Sequence, residues 1–495
     1  MESSTATDFS TLIRERLAGY GADPVIEFEG VWYTGEDLAG ISSRIEELAR
    51  AAGVPEDAPV ALVVRNRVPH AAAMIGLVGA ARSFALVYAF QSAEAMARDV
   101  DRLRPAVLVA DRADWTPPVV EAARRCGTVG IALTLDGERV TVVDGLDVLG
   151  PGPFAEPPPE PSVQVLTSGT TGPPKRIAIR MPVLERAAQS ALMARPAGEP
   201  TPSVLFAPFG GISGVCSLIA VPFSGGRTVL LEKFSVEELV SNVKRFGLKA
   251  LGGPPAVIRM ILGAGVPRED LASVQLYMGG AGPLEPELKQ RFEEEYGIPV
   301  LWSYGATEFA GGVLTWTWDL YQQFGAAKRA SSGKPYPGVQ VRIVDPATGA
   351  EVPIGERGIL EAAVEMLGPD WIRTNDFASR DEDGFFYLHG RADGAINRGG
   401  FKVLPETVIS TLVEHPAVQD AGVVGTPDER LGEVPFAAVE LVDGAEPPTE
   451  EELKQFVRDR LPAYCVPTRV RVVDRLPRTG SLKVSVEGIR ALVST

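Results

Sequence analysis

The sequence predicts an α/β protein with a large N-terminal domain of parallel-rich sheets wrapped by helices, followed by a small α+β C-terminal domain. Two observations support this prediction. Along most of the chain, short apolar runs alternate with longer amphipathic patterns, which is typical of parallel strands joined by helices. Near residue 390 this alternation gives way to a mixed pattern of strands and helices. We therefore predict domains at residues 1–390 and 391–495.

The first third of the chain establishes the alternation. In chain order we predict strand 58–66, helix 69–83, strand 84–90, helix 92–105 and strand 106–111. Because buried strands that alternate with helices pair in parallel, these segments form the start of a wrapped sheet.

The proline-rich link at residues 150–161 does not end this pattern. Strands at 204–209 and 227–234 and a helix at 235–247 follow it. Ser235 and Gly247 have the residue types expected at the cap and at the stop of that helix. We therefore do not place a domain boundary at the link.

The C-terminal region has a different order of elements. We predict strands at 421–426, 436–441 and 469–474, and helices that begin near Pro405 and at Thr449. The sequence T-E-E-E at Thr449 is a capping box. This order is typical of a small mixed domain.

Composition excludes several classes of protein. The chain has 495 residues, with 45% apolar and 23% charged residues, which is typical of a globular protein. Its net charge of −16 argues against nucleic-acid binding through a general field. The three cysteines, Cys126, Cys216 and Cys465, are far apart and odd in number, which indicates a reducing compartment. Neither a signal peptide nor a membrane-spanning run is present, so we expect a cytoplasmic protein.

A loop rich in hydrogen-bond donors lies between two apolar runs, residues 163–168 and 176–180. These runs predict strands, so the segment between them joins strand to strand. A Walker A loop needs a helix after its lysine, but Pro173 and Pro174 precede Lys175 here and disfavour one. A P-loop NTPase is therefore the weaker interpretation.

The loop has the groups that a phosphate needs. Thr167, Ser168, Thr170 and Thr171 provide hydroxyl groups. Gly169 and Gly172 leave the backbone accessible, and Lys175 provides a positive charge. Glycines let the backbone NH groups approach a ligand closely. The alternative is an ordinary hairpin turn, for which so many consecutive Ser, Thr and Gly residues are unusual.

This stretch strongly resembles the phosphate loop of the adenylate-forming superfamily, which contains acyl-CoA synthetases, peptide-synthetase adenylation domains and luciferases. The resemblance extends from about residue 30 to about residue 490, with the motifs in the family's order. It implies that the loop holds the β- and γ-phosphates of ATP. It also implies that the C-terminal domain is mobile.

The resemblance assigns two glycine-rich turns, within residues 275–288 and 299–309, to the nucleotide. Each follows a predicted strand, and ligands of open sheets collect at strand carboxyl ends. The adenine would lie against Ala281, Gly282 and Pro283 and stack on Tyr304, which Gly305 follows. Thr307 would bind the α-phosphate, and Glu308 would hold Mg²⁺, a cation that prefers carboxylate and phosphate oxygens.

The remaining motifs lie between residues 372 and 483. By resemblance, Asp376 accepts from the ribose hydroxyls, Arg391 reaches ribose and phosphate, and Asp393 is the hinge between the domains. Lys483 matches the family's C-terminal catalytic lysine, although Leu482 replaces the usual glycine before it.

The family's reaction has two halves. A carboxylate attacks the α-phosphorus of ATP to give an acyl-adenylate and pyrophosphate, and a thiol then takes the acyl group. The implied catalytic residues are Lys483, Thr307, Glu308 and Lys175. In the second half the small domain swings, and Gly399 and Gly400 line a channel for the pantetheine arm of coenzyme A.

The acyl pocket is where the sequence departs most from its relatives. Relatives that use α-amino acids carry an aspartate after the aromatic Phe209, but Gly210 stands there, so an α-amino acid is not expected. Many acyl-CoA synthetases carry a histidine or aromatic gate where Gly211 stands. The further small residues of the predicted pocket are Gly279, Gly280, Ala310 and Gly311. We predict a wide pocket for a bulky cyclic or polycyclic acid, unless a side chain from another segment fills the space.

The resemblance therefore implies an AMP-forming acid–thiol ligase that uses ATP, Mg²⁺ and coenzyme A. One alternative is a stand-alone adenylating enzyme that loads a carrier protein. Another is a degenerate relative that binds ligand without turnover. No nucleic-acid or membrane partner is expected, and the sequence leaves open a homodimer and the identity of the acid.

Overall fold

The computed structural model describes most of the chain. The described residues are 8–89, 91–166, 176–190, 198–280, 282, 284–306, 309, 311–392, 394–398, 401–428 and 431–493. They contain helices and strands in a mixed α/β arrangement, which confirms the predicted fold class.

The helices have the following bounds: α1 Phe9–Tyr20, α2 Gly35–Ala51, α3 Val68–Gly79, α4 Ala93–Leu103, α5 Pro117–Cys126, α6 Met181–Ser190, α7 Ile212–Ser224, α8 Val236–Phe246, α9 Pro255–Gly263, α10 Pro286–Tyr296, α11 Trp318–Phe324, α12 Pro405–Val413, α13 Glu450–Arg458 and α14 Val486–Ala491.

The strands have the following bounds: β1 Pro24–Phe28, β2 Val31–Thr34, β3 Val60–Val64, β4 Phe84–Tyr88, β5 Val107–Asp111, β6 Val129–Leu133, β7 Val140–Val142, β8 Ser162–Leu166, β9 Arg176–Arg180, β10 Ser203–Leu205, β11 Thr228–Leu230, β12 Ala250–Gly253, β13 Leu276–Gly279, β14 Val300–Ala306, β15 Gly311–Thr315, β16 Lys334–Pro335, β17 Val339–Val344, β18 Gly358–Val364, β19 Ile372–Arg380, β20 Phe386–Arg391, β21 Ile396–Arg398, β22 Phe401–Val403, β23 Val418–Asp428, β24 Gly432–Leu441 and β25 Arg469–Val473.

The chain divides into two compact units, and the first contains residues up to 248. Its seven-stranded sheet has the order β7-β6-β5-β3-β4-β8-β9. The five inner strands pair in parallel, and β7 and β9 are antiparallel edges. Because β7 precedes the proline-rich link and β8 follows it, the link does not separate domains.

Helices bury the apolar faces of this sheet. On one face α4 and α5 pack Met96, Val100 and Val119 with Val63 and Leu108 of the strands. A second sheet of the same unit, in the order β10-β11-β1-β2, precedes α8. Ser235 caps α8 and Gly247 ends it in a left-handed conformation, as the sequence predicts.

The second unit contains residues 249–495 and three sheets. In the first, β12, β13 and β14 are parallel and β15 and β16 continue antiparallel. The second is the antiparallel sheet β17-β18-β19-β20. Phe309, Leu314, Leu360, Val364 and Phe386 form a common core between these two sheets, and Tyr304 packs at its edge.

The third sheet has the order β22-β21-β24-β23, with β25 pairing β24 in parallel. Its core joins Leu412 of α12 and Val457 of α13 to Val439 of β24. Thr449 and Glu452 form the predicted capping box of α13. The two compact units are divided at residue 248, whereas the sequence predicts a domain boundary near residue 390. These are two different divisions of the chain, and the boundary near residue 390 stays a prediction.

The described part of the chain contains three unpaired cysteines and no helix that could cross a membrane. Cys216 and Cys465 are buried, Cys126 is half-buried, and all three are free thiols. Among the described residues, no helix combines the length and the apolar character needed to cross a bilayer.

Candidate functional site

The predicted phosphate loop joins two paired strands. β8 and β9 are antiparallel, with Leu166 opposite Arg176, and a strand therefore follows the loop lysine. The Walker A alternative does not fit, because that motif requires a helix there. The loop residues themselves lie outside the described residues; these are Thr167, Ser168, Gly169, Thr170, Thr171, Gly172 and Lys175.

Arg176, which the sequence analysis did not single out, anchors the end of this loop. Its Nη1 donates to the carbonyl oxygen of Leu86 at 2.6 Å. Desolvation by burial lowers its pKa, and Asp99, 3.6 Å away, acts in the opposite direction. The strand after the loop is therefore tied to the sheet by its first side chain.

The turn after β13 is braced by a tryptophan. Trp302 Nε1 donates to the carbonyl oxygen of Gly282 at 3.1 Å. A Cβ on Gly279 would lie 2.0 Å from Cζ3 of the same ring, so only glycine fits beside it. Ala281 and Pro283 of this predicted adenine turn lie outside the described residues.

The second turn lies between β14 and β15, which pair as an antiparallel hairpin. A Cβ on Gly305 would lie 2.2 Å from the carbonyl oxygen of Gly311, and Gly311 itself has a φ of 142°. Both positions therefore require glycine. Thr307, Glu308 and Ala310 lie outside the described residues.

Strand pairing and one side-chain hydrogen bond bring three of the predicted nucleotide residues together. The register of β19 and β20 places Asp376 opposite Arg391, with Nη1 of Arg391 4.0 Å from Oδ1 of Asp376. The hydroxyl of Tyr304 donates to Oδ2 of Asp376. Desolvation by burial and then the Asp376 charge raise the pKa of Tyr304, so the phenol stays a neutral donor.

Glu406 joins this group, although the sequence analysis did not select it. Its carboxylate accepts from the backbone NH of Arg391, and burial raises its pKa. Gly390, with a φ of 105°, would place a Cβ only 2.6 Å from Glu406 Oε2. The sequence did contain one indication of Glu406: it is an acidic residue in the first turn of the helix that begins at Pro405. Acidic residues are common at this position because they interact favourably with the helix dipole, so the indication does not predict a functional site.

Lys483 lies on a tight loop that is closed by backbone hydrogen bonds. Thr479 N donates to the carbonyl oxygen of Lys483 at 2.8 Å, and Leu482 N donates to that of Thr479 at 2.9 Å. Leu482 has a φ of 63°, the left-handed region that favours glycine. The substitution of leucine for the usual glycine thus costs the loop about 1 kcal/mol of backbone strain.

The ammonium group of Lys483 lies within electrostatic range of Arg391. The residue as a whole is exposed, yet desolvation by surrounding groups, and next the charge of Arg391, lower the pKa of Lys483. Within the part of the chain that the structure describes, no carboxylate forms an ion pair with it. Two positive groups placed in this way favour a bound anion.

The predicted acyl-pocket glycines of the first unit differ from one another. A Cβ on Gly210 would lie 2.2 Å from Cε1 of Tyr88, so the tyrosine ring fills the space that glycine leaves. Gly211 is open, with Pro208 O as its nearest neighbour at 3.7 Å. Phe209 is buried, and its backbone NH donates to Oδ1 of Asn66 at 3.1 Å.

In the second unit, the pocket glycines are also in close contact with their surroundings. Trp302 occupies the space at Gly279, and a Cβ on Gly280 would lie 2.9 Å from the carbonyl oxygen of Ser303. The alternative that other side chains fill the space therefore holds at Gly210 and Gly279. Asp393, Gly399 and Gly400, predicted for the hinge and the coenzyme A channel, lie outside the described residues.

The residues that the structure does bring together are Tyr304, Asp376, Arg391, Glu406 and Lys483. They offer carboxylate acceptors for hydroxyl groups and two cations. This combination suits a ligand with both a sugar and a phosphate. Among the described residues no cluster of three or more His, Cys, Asp or Glu could hold a metal ion, and Mg²⁺ held by phosphates and one carboxylate does not need such a cluster.

Comparison with known proteins identifies the family to which the chain belongs. Residues 13–363 match the AMP-binding enzyme family, and residues 409–483 match the AMP-binding enzyme C-terminal domain. A feruloyl-CoA synthase of Amycolatopsis sp is 31% identical over 338 residues, 64% of this chain and 67% of that protein. A 4-coumarate–CoA ligase 3 of Oryza sativa subsp. japonica is 27% identical over 510 residues, 96% of this chain and 90% of that protein.

Solved structures share the fold. ATP-bound MatB from Rhodopseudomonas palustris superposes with a TM-score of 0.81 at 22% identity, covering 98% of both chains. At this identity the likeness concerns the fold alone.

Replacing Arg391 by methionine is expected to raise the pKa of Lys483, because the like charge that lowers it is removed. The measurement is an NMR pH titration of protein whose lysines carry ¹³C-methyl groups. Lys454, which pairs with Glu450 at 2.8 Å on α13, is the internal control. An unchanged Lys483 titration would show that Arg391 and Lys483 are not neighbours.

The glycine pair 210 and 211 gives a matched test of packing. We expect Gly210→Ala to destabilise the protein by about 1–3 kcal/mol, because its methyl group would overlap the Tyr88 ring. Gly211→Ala has room and should change the unfolding midpoint little. Urea unfolding measures both, and in a Tyr88→Ala background the Gly210→Ala substitution should cost little, because the ring it would overlap is absent. Equal effects of the two alanines would contradict the assignment of Tyr88 to this space.

Proposed function

Because the chain belongs to the AMP-binding enzyme family, within the adenylate-forming superfamily that its motifs resemble, we propose that it is an AMP-forming acid–thiol ligase. It activates a carboxylic acid with ATP and transfers the acyl group to coenzyme A. The observation that carries this proposal is the convergence of Tyr304, Asp376, Arg391 and Lys483 in one unit of the fold.

The roles in nucleotide binding follow from the chemistry of each group. Asp376 is a carboxylate acceptor and suits the ribose hydroxyls. Tyr304, whose hydroxyl is fixed by Asp376, presents its ring to the base. Arg391 and Lys483 supply positive charge to the α-phosphate, and the phosphate oxygens relieve the repulsion between the two cations.

The first half-reaction is a displacement at phosphorus. The carboxylate of the acid, ionised at neutral pH, attacks the α-phosphorus, and pyrophosphate leaves with the electrons of the broken P–O bond. The protein supplies position and charge neutralisation rather than a general base. Lys483 neutralises charge on the carboxylate and α-phosphate as they approach each other, which is its proposed catalytic role.

Four further assignments concern residues outside the described part of the chain. We assign the loop of residues 167–175 to the β- and γ-phosphates. We assign Glu308 to Mg²⁺, which when bound would neutralise phosphate charge. In the second half-reaction the thiol attacks the acyl carbon and AMP leaves; we assign Gly399 and Gly400 to the thiol's pantetheine arm and Asp393 to the hinge.

The acid is proposed to be bulky and cyclic rather than an α-amino acid. Gly210 provides no carboxylate to pair an amine, and the Tyr88 ring beside it offers an apolar aromatic surface. The similarity to a feruloyl-CoA synthase and a 4-coumarate–CoA ligase favours an acid that carries a ring.

The test is pyrophosphate release with Mg·ATP and a panel of acids: acetate, benzoate, 4-coumarate, ferulate, 2-succinylbenzoate and cholate. We expect the larger ring-containing acids to be preferred. Lys483→Ala should lower the rate by about 100-fold or more. Lys454→Ala, a lysine on α13 that pairs with Glu450, is the matched control and should be near wild type.

The acceptor is tested with the best acid of this panel. Free coenzyme A and a phosphopantetheinyl carrier protein are offered in parallel, and thioester formation is followed by mass spectrometry. We expect coenzyme A to be used; acylation of the carrier alone would favour the stand-alone adenylating enzyme. Pyrophosphate release with none of the acids, or full activity of Lys483→Ala, would contradict the proposed function.

A further inference from the structure

A buried chain of charged residues connects the predicted adenine turn to the Lys483 loop. Glu285 caps α10 at the end of that turn, and Oε1 of Glu285 accepts from Nη2 of Arg259 on α9 at 2.6 Å. Nε of Arg259 lies 3.6 Å from Oδ1 of Asp420 on β23. Oδ2 of Asp420 accepts from Nη2 of Arg478 at 2.7 Å. These residues span α9, α10, β23 and the segment that leads to Lys483.

Burial makes this arrangement specific. Arg259 and Glu285 are each 7% exposed and Asp420 is 2% exposed. Buried charges of this kind need partners in defined positions, because an unpaired charge is strongly disfavoured away from water. Helix α9 also packs tightly on β23, since a Cβ on Gly263 would lie 2.8 Å from Nε2 of Gln419.

Arg478 connects these buried charges to the loop that contains Lys483. Its Nη1 donates to the carbonyl oxygen of Leu482 at 3.3 Å, the residue directly before Lys483. The backbone of Arg478 also forms an isolated bridge with Val484, the residue directly after it. Arg478 therefore contacts the loop on both sides of Lys483. These contacts stabilise Leu482 in its left-handed conformation.

We propose that Arg259, Asp420 and Arg478 form a latch that positions Lys483 for adenylate formation. The three residues are positioning residues, since they act on the reaction only through Lys483. The inference rests on the proposed function. It adds that the residue pair Arg259 and Asp420, which joins the predicted large and small domains, holds the chain in the adenylate-forming arrangement. Release of the latch then accompanies the second half-reaction.

The first test separates the two half-reactions in Asp420→Asn, which removes the charge but keeps the shape and an acceptor. Pyrophosphate release with the best acid of the panel should fall about 10- to 100-fold, because Lys483 is displaced. Transfer from a synthetic acyl-adenylate to coenzyme A should stay within about twofold of wild type, since Lys483 is not required there.

Glu361 offers a matched control. It too is a buried carboxylate between two arginines, 2.7 Å from Arg342 and 3.6 Å from Arg373, but it lies in the sheet of β17 to β20. Glu361→Gln should change both half-reactions equally or not at all. An equal loss of both half-reactions in Asp420→Asn, or no loss, would overturn the latch.

A second measurement does not depend on turnover. In Asp420→Asn the pKa of Lys483, measured by the NMR titration described above, should rise as the lysine leaves Arg391. Should Asp420→Asn fail to fold, Arg259→Lys, which can reach only one of its two acids, should give the same pKa shift. An unchanged pKa in a folded variant overturns the latch even where the proposed function holds. A raised pKa without pyrophosphate release in wild type supports the latch and contradicts the function.

Discussion

Desolvation of the Lys483 ammonium, together with the like charge of Arg391, is the constraint around which the rest of the site is arranged. Both effects lower the pKa of the lysine and disfavour its charged form. Such an arrangement persists only where the surrounding structure fixes it, and here the loop backbone, Arg478 and Asp420 do so. An anion bound between the cations would remove their repulsion, which is the physical reason for assigning the place to a phosphate.

The fold explains why the other groups face these cations. The antiparallel register of β19 and β20 sets Asp376 opposite Arg391, and the shared core of two sheets carries Tyr304 to the same carboxylate. At Gly305 the backbone of Gly311 leaves no room for a side chain, and at Gly390 the carboxylate of Glu406 leaves none. The candidate site is thus built from strand register and from close packing against glycines, and this suits a reaction that depends on position rather than on proton transfer.

The sequence was sufficient for the fold class and for those local elements whose signals lie a few residues apart. The β8–β9 hairpin, the α8 cap and the α13 capping box each depend on residues a few positions apart, and the structure contains all three. Asp376 and Arg391 were identified by resemblance, and strand register then brings them together. Tyr88 beside Gly210 was not predictable, because 122 positions separate them and no periodic pattern encodes that contact. Glu406 and Asp420 were missed for the same reason: their significance lies in partners on distant segments.

The central claim, that Tyr304, Asp376, Arg391 and Lys483 surround a nucleotide, is tested most directly by photolabelling with 8-azido-ATP in the presence of Mg²⁺. The account predicts covalent labelling of the peptide that contains Tyr304, protection by AMP, and loss of labelling in Asp376→Ala. Labelling elsewhere in the chain, or labelling of the Tyr304 peptide that AMP does not prevent, would contradict it.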